Sequence, residues 1–326
     1  MIKRFAASIA FLAGVAIAAA LAVHAGLGAT AQALAAIGWR GLAEVCLLQM
    51  GALAVCGLAW WSVTDGVGVG ACLVSRWIRD GGSNLVGFIP AIGEGISARA
   101  LAVFSVSGAG AATASTIVDV AVEAFAQALY TLAAFALLWP HLAIAQEARW
   151  SLVVAVSVIP ILLMGVVSVN KGALRLGQRI GLRLAELVGV EIGSRTFNLH
   201  EAVQAIYRRR GRIAAALALH MLAWLLAAAQ LWVAARGMAH PLGIGDAVAL
   251  AGLVSAARSA FFLVPWAAGV QEGGFVLIGA ALGLPPAATI ALSLTLRARD
   301  VLVGAPAILI WYLAEGRRGL RRRVRA

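Results

Sequence analysis

Five carboxylates, Glu94, Asp119, Glu123, Glu272 and Asp300, lie in or beside long apolar stretches. An ionised side chain at the centre of a bilayer costs at least about 2.5–3.5 kcal/mol on insertion scales, so such a group is held by a partner or opens on a polar cavity. Asp119 and Glu123 are four residues apart and share one helical face with Gln127. Two neighbouring carboxylates repel unless a cation or a proton separates them, and Arg99, Arg297 and Arg299 are the candidate cations. Arg297 and Asp300, three apart, are spaced to pair within one helix. Glu94 and Glu272 each adjoin glycine, in Gly93-Glu94-Gly95 and Gln271-Glu272-Gly273-Gly274. Glycine permits chain reversal and close backbone approach. Each glutamate can therefore cap a half-helix through its orphan N–H groups or line a site. Glu94, Arg99, Asp119, Glu123, Gln271, Glu272, Arg297, Arg299 and Asp300 together form the expected lipid-headgroup or proton site. The competing reading is that the same charges only tie helices together.

Catalytic chemistry has no comparable signal. No nucleophile elbow, Walker loop, HExxH or paired CxxC is present. No catalytic residue, metal ligand or cofactor is nominated. Cys46, Cys56 and Cys72 read as small buried hydrophobes. His220 and Trp224, one turn apart, read as a packed polar pair.

The elements that must position these groups are set by composition. Hydrophobic residues make up 62% of the chain and charged residues 12%, against about 45–50% and about 25% in soluble domains. This is a membrane composition. The net charge of +12 comes from three basic clusters rather than a nucleic-acid face: Lys3-Arg4, the segment from Lys171 to Arg212, and the tail from Arg317 to Arg325. The positive-inside rule places all three in the cytoplasm.

The expected fold is an all-α polytopic membrane protein with six transmembrane helices. They run over Phe5–Val23 (an uncleaved anchor rather than a signal peptide), Glu44–Val63, Ala112–Trp139, Ser151–Val169, Ile213–Ala235 and Pro286–Leu313. Gly66–Gly110 and Gly243–Gly283 are interrupted by Gly, Pro and Glu. Each reads as a re-entrant helical pair, since irregular backbone at membrane depth must be buried in protein or line a wet cavity. The two pairs match: Gly87 precedes Glu94 by seven residues, and Pro265 precedes Glu272 by seven. Entering from opposite sides, they would form an inverted repeat, which points to a transporter-like site. A single membrane domain is expected, with halves 1–169 and 213–316, a cytoplasmic loop 170–212 and a tail 317–326. Within the loop, Arg175, Arg179 and Arg183 recur every fourth residue beside an apolar stripe, as in a helix lying on an anionic inner leaflet.

Two longer patterns carry a resemblance. The first is Asn84-Leu85-Val86, Gly93-Glu94, Ala98-Arg99-Ala100-Leu101 and Ser115-Thr116-Ile117-Val118-Asp119. The second is Val264-Pro265, Gly269-Val270-Gln271-Glu272-Gly273-Gly274, Leu282-Gly283-Leu284-Pro285-Pro286 and Arg297-Ala298-Arg299-Asp300. Over about residues 40–315 the chain resembles the lysylphosphatidylglycerol synthase membrane-domain, or flippase-like, family. The combination is most similar to its hopanoid-biosynthesis-associated branch. Gly87 stands where that family usually has proline, and Ile92 where a second glycine often precedes the glutamate. The resemblance implies a multi-pass bacterial inner-membrane protein that handles or translocates lipid, hopanoid or phospholipid, with no cofactor and no nucleic-acid partner. A lipid-modifying transferase, a scaffold for lipid enzymes and an oligomer remain alternatives. Lysyl-phospholipid synthesis is not expected, since the sixth span is followed here only by the short basic tail 317–326.

Overall fold

A computed structural model describes residues 2–85, 92–104, 109–141, 199–261 and 264–325. Among these residues the chain forms ten α-helices and no strand. They are α1 (Ile2–His24), α2 (Leu27–Ser62), α3 (Val69–Leu85), α4 (Ile92–Phe104), α5 (Ala109–Leu138), α6 (Leu199–Tyr207), α7 (Arg210–Ala235), α8 (Ile244–Ala260), α9 (Val270–Ala281) and α10 (Pro286–Arg325). The chain is an all-α polytopic membrane protein. The expected span Ser151–Val169 and the basic stripe Arg175, Arg179 and Arg183 fall outside the described residues.

Three described helices are long and apolar enough to cross a membrane: α2, α5 with the short 3-10 turn that follows it, and α7. Their outer faces carry exposed Leu47, Leu137, Leu222 and Leu225, as expected of surfaces solvated by lipid. The expected second span begins earlier than its composition suggests. Helix α2 starts at Leu27 and turns at Gly38, whose φ of 61° and ψ of −177° break the helical path. The expected sixth span is the first part of the 40-residue α10, which continues into the arginine-rich tail.

The two interrupted stretches both fold as short helix pairs. Helices α3 and α4 contain 17 and 13 residues, and α8 and α9 contain 17 and 12. At about 1.5 Å per residue, none spans a hydrocarbon core of about 30 Å. The pairs are exchanged between the halves: α3 packs on α10, and α8 packs on α5, while α2 and α7 lie against each other between them. Where α3 meets α10, Gly81 faces Gly304. A Cβ built on Gly81 would lie 2.8 Å from the Gly304 carbonyl oxygen, so only glycine allows this approach.

Two clusters of buried apolar side chains support the halves. Trp60, Leu101, Val118 and Ala216 belong to one, and Leu231, Leu250, Phe275 and Leu292 to the other. Beyond the end of α2, Asp65 receives Arg212 at 2.5 Å and also pairs with Arg209, which ties the α2–α3 turn to the start of α7. Partial burial alone would raise the Asp65 pKa. The hydrogen bonds from Arg212 and Arg209, with their charges, outweigh burial and hold it below the usual carboxylate value.

Candidate functional site

Helix α3 supplies the cations that sequence analysis did not nominate. Arg76 and Arg79 are three residues apart and face Asp119 and Glu123, four apart on α5, as a ladder of opposite charge. Arg76 grips Glu123 through both nitrogens, at 2.8 and 2.6 Å. This is the fork geometry that favours arginine over lysine. Arg79 donates to Asp119 Oδ2 at 2.9 Å and to Glu123 Oε2 at 2.9 Å, and reaches Glu94 Oε1 at 3.5 Å. His220 Nε2 on α7 completes the cluster, 3.0 Å from Asp119 Oδ1. Asp119 is fully buried, so the pairing is what makes its charge tolerable there.

This arrangement corrects three expectations. Arg99 does not reach Asp119 or Glu123; it pairs with Glu315 on α10. Arg297 and Arg299 are not their partners either. His220 is not simply packed on Trp224, because it bonds Asp119 while Trp224 stacks on Tyr130 with ring centroids 5.5 Å apart. The signal for Arg76 and Arg79 was present, since α3 is strongly amphipathic and its two arginines share a face. Local spacing does not show which carboxylates they meet, because Asp119 and Glu123 lie on a helix 40 or more residues away.

A second group is centred on Glu272 and Arg297. Arg297 donates to Glu272 from Nε and Nη2, each at 3.0 Å to Oε1, and to the carbonyl oxygens of Trp266 at 2.5 Å and Ala267 at 3.3 Å. Both carbonyls belong to residues with left-handed backbone, φ 59° and 46°. That conformation is costly for residues other than glycine and persists only when its surroundings hold it. Glu272 Oε2 accepts the Gly269 N–H at 2.9 Å, a helix cap, and Oε1 accepts the Ser293 hydroxyl at 3.2 Å. Gln271 binds Ser293 Oγ at 2.9 Å. Helix α1 braces the same reversal: a Cβ on Gly269 would meet the Gly14 carbonyl oxygen at 2.7 Å. Arg297 thus pairs with Glu272 rather than with Asp300, whose partner is its neighbour Arg299.

Between the two groups lies a cavity of about 490 Å³, within the size range of ligand pockets. It is lined from both halves. Arg76, Arg79, Asp80, Glu94 and Glu123 come from the first half, and Arg258, Trp266, Gln271 and Arg299 from the second. A polar chain runs along its wall. Arg299 donates to Gln230, Gln230 to Gln49 Oε1 at 3.0 Å, and Gln49 to Asp80 at 3.5 Å. Of the expected site residues, Glu94, Glu123, Gln271 and Arg299 border the cavity. Asp119 and Asp300 stand behind it as counter-charges, Glu272 and Arg297 hold the reversal beside it, and Arg99 lies elsewhere.

Cys56, Glu123 and His220 bring three donor atoms within 4.8 Å of one another. Both Glu123 oxygens are occupied by guanidinium groups and His220 Nε2 is bound to Asp119. Two adjacent arginines and a saturated carboxylate do not suit a cation site.

Helices that bury charge around a cavity lined by the N-terminal and C-terminal parts of the chain define a polytopic membrane protein with a charged interior. The family model described as the lysylphosphatidylglycerol synthase TM region matches residues 10–307, and the chain belongs to that family. No curated protein and no solved structure matches it. Membership supports a lipid-related function in the membrane.

Proposed function

We propose that the protein translocates a membrane lipid, taking its headgroup into the cavity between the two hairpin-bearing halves. The observation that carries this reading is the cavity itself. Cations and anions from both halves converge on one space inside a protein whose outer surface is apolar. Such a space offers a headgroup the polar contacts that hydrocarbon withholds. The exchange of short helix pairs between the halves supports an inverted repeat, the architecture in which alternating access operates by rocking one half against the other.

The finer parts of the proposal follow the family resemblance and the arginine distribution. The function is hopanoid-associated by pathway rather than by the lipid bound, the membrane is the bacterial inner membrane, and the chain termini and the basic loop face the cytoplasm. Reconstitution into liposomes with a fluorescent lipid, quenched from outside, tests transport directly. Translocation without any new lipid species is the expected result, whereas a covalently altered lipid would establish the transferase alternative. Comparing lipids of the inner and outer membranes in a deletion strain tests the hopanoid association. Cysteine labelling at positions 178 and 320 tests the orientation, and reaction from the periplasmic side at either position would overturn it.

A further inference from the structure

Most charges around the cavity satisfy one another. Arg76 and Arg79 are matched by Asp119 and Glu123, and Arg299 by Asp300. Two lining charges are different. Asp80 on α3 accepts one long hydrogen bond, 3.5 Å from Gln49. Arg258 on α8 makes one, 3.2 Å to Asn84 Oδ1. Among the described residues neither forms an ion pair, although they carry opposite charges and border the same space.

Their positions in the two halves correspond. Asp80 precedes Gly87 by seven residues, and Arg258 precedes Pro265 by seven. The register that matches Glu94 with Glu272 therefore matches Asp80 with Arg258. The repeat brings an anion and a cation to the same stretch of cavity wall, since Arg258 bonds Asn84, one turn beyond Asp80 on α3. Charges withdrawn from bulk water and left without a direct ion-pair partner are expensive, so a ligand that pairs directly with both gains contacts at each end.

Resting on the transport reading, we propose that the cavity recognises a zwitterionic phospholipid headgroup of the phosphoethanolamine class, with the phosphodiester on Arg258 and the primary ammonium on Asp80. A guanidinium suits phosphate because its planar fork presents parallel N–H donors. A primary ammonium brings three donors to a carboxylate that accepts only one weak bond. A glycerol headgroup lacks the cation and leaves Asp80 without a direct ion-pair partner. A trimethylammonium headgroup keeps the charge but cannot donate.

The test uses the purified full chain in detergent and short-chain lipids bearing ethanolamine, choline or glycerol headgroups, with water-soluble glycerophosphoethanolamine as a further probe. Affinity should rank ethanolamine first and glycerol last. Asp80→Asn should reduce the ethanolamine-over-glycerol preference by about tenfold, the effect of one lost charge-assisted contact. Arg258→Gln should weaken all three lipids by a similar factor, since all share the phosphodiester. Equal binding of ethanolamine and glycerol lipids by the unmodified protein overturns the inference, and this comparison needs no variant to fold. A preference that survives Asp80→Asn in a folded protein also overturns it. If glycerophosphoethanolamine binds with the same Asp80-dependent preference, the headgroup assignment stands and the ligand is drawn from water. Translocation of lipids without headgroup preference rejects this inference and keeps the transport reading. Ethanolamine-selective binding without translocation does the reverse.

Discussion

Glu94 and Glu272 occupy matching places in the two halves and do different work. Glu272 is nearly sealed, with 6% of its side chain exposed, and both oxygens are taken by Arg297, the Gly269 N–H and Ser293. Glu94 retains 32% exposure and touches Arg79 only at 3.5 Å. The second-half glutamate fastens a strained chain reversal, while the first-half glutamate borders the cavity with capacity to spare. Glutamates at the same spacing from Gly87 and Pro265 therefore serve as a fastener in one case and a contact surface in the other. What separates them is how many donors the surrounding fold aims at each carboxylate.

The largest expected effect comes from removing the anion behind the first-half cluster. Asp119→Leu leaves Arg79 and His220 without their shared partner in a buried setting. A loss of about 3–5 kcal/mol is expected. It would be read as a collapse of the unfolding midpoint in detergent, and an unchanged midpoint would show that water already reaches the cluster.

Next in size is the helix crossing that brings the halves together. Gly81→Leu forces α3 away from Gly304 and should cost about 1–3 kcal/mol through overpacking. Gly70→Leu, with open space around it, serves as the control. Equal loss in both variants would reject the close-approach account.

The two glutamates then test the comparison itself. Glu272→Gln keeps the volume but weakens the cap and the Arg297 pair, and should cost about 0.5–2 kcal/mol, with transport retained in the folded fraction. Glu94→Gln should change stability by less than about 1 kcal/mol while lowering the translocation rate in liposomes. The reverse pattern, a stability loss at Glu94 and a transport loss at Glu272, would exchange their roles.

The smallest effect is expected at the exposed end of the bundle. The folded Asp65 pKa lies below its unfolded value, so the carboxylate's contribution is present above the unfolded pKa of about 3.9 and is lost as pH falls through the folded one. The melting difference between the unmodified protein and Asp65→Asn should stay constant from about pH 5 to 8 and close only in stronger acid. A difference that fades between pH 6 and 8 would point to another titrating group.

Much of this protein was readable in one dimension. Apolar content, the basic clusters and the interrupted stretches around Glu94 and Glu272 determine a helical membrane protein with two short helix pairs, because bilayer thickness and backbone satisfaction leave few alternatives. The carboxylates were legible too, since charge is rare in such segments. Their partners were not. Arg76 and Arg79 lie 40 or more residues from Asp119 and Glu123, and only the fold brings their side chains within reach of each other. Arg297 and Arg299, two residues apart, point to different places because successive positions on a helix diverge by about 100°, and tertiary packing decided that one reaches Glu272 and the other Gln230. Composition and periodicity determine which groups must be buried. Which opposite charge each one meets, and which two are left facing the cavity, depends on how helices distant in sequence are brought together, and local spacing carries no record of that.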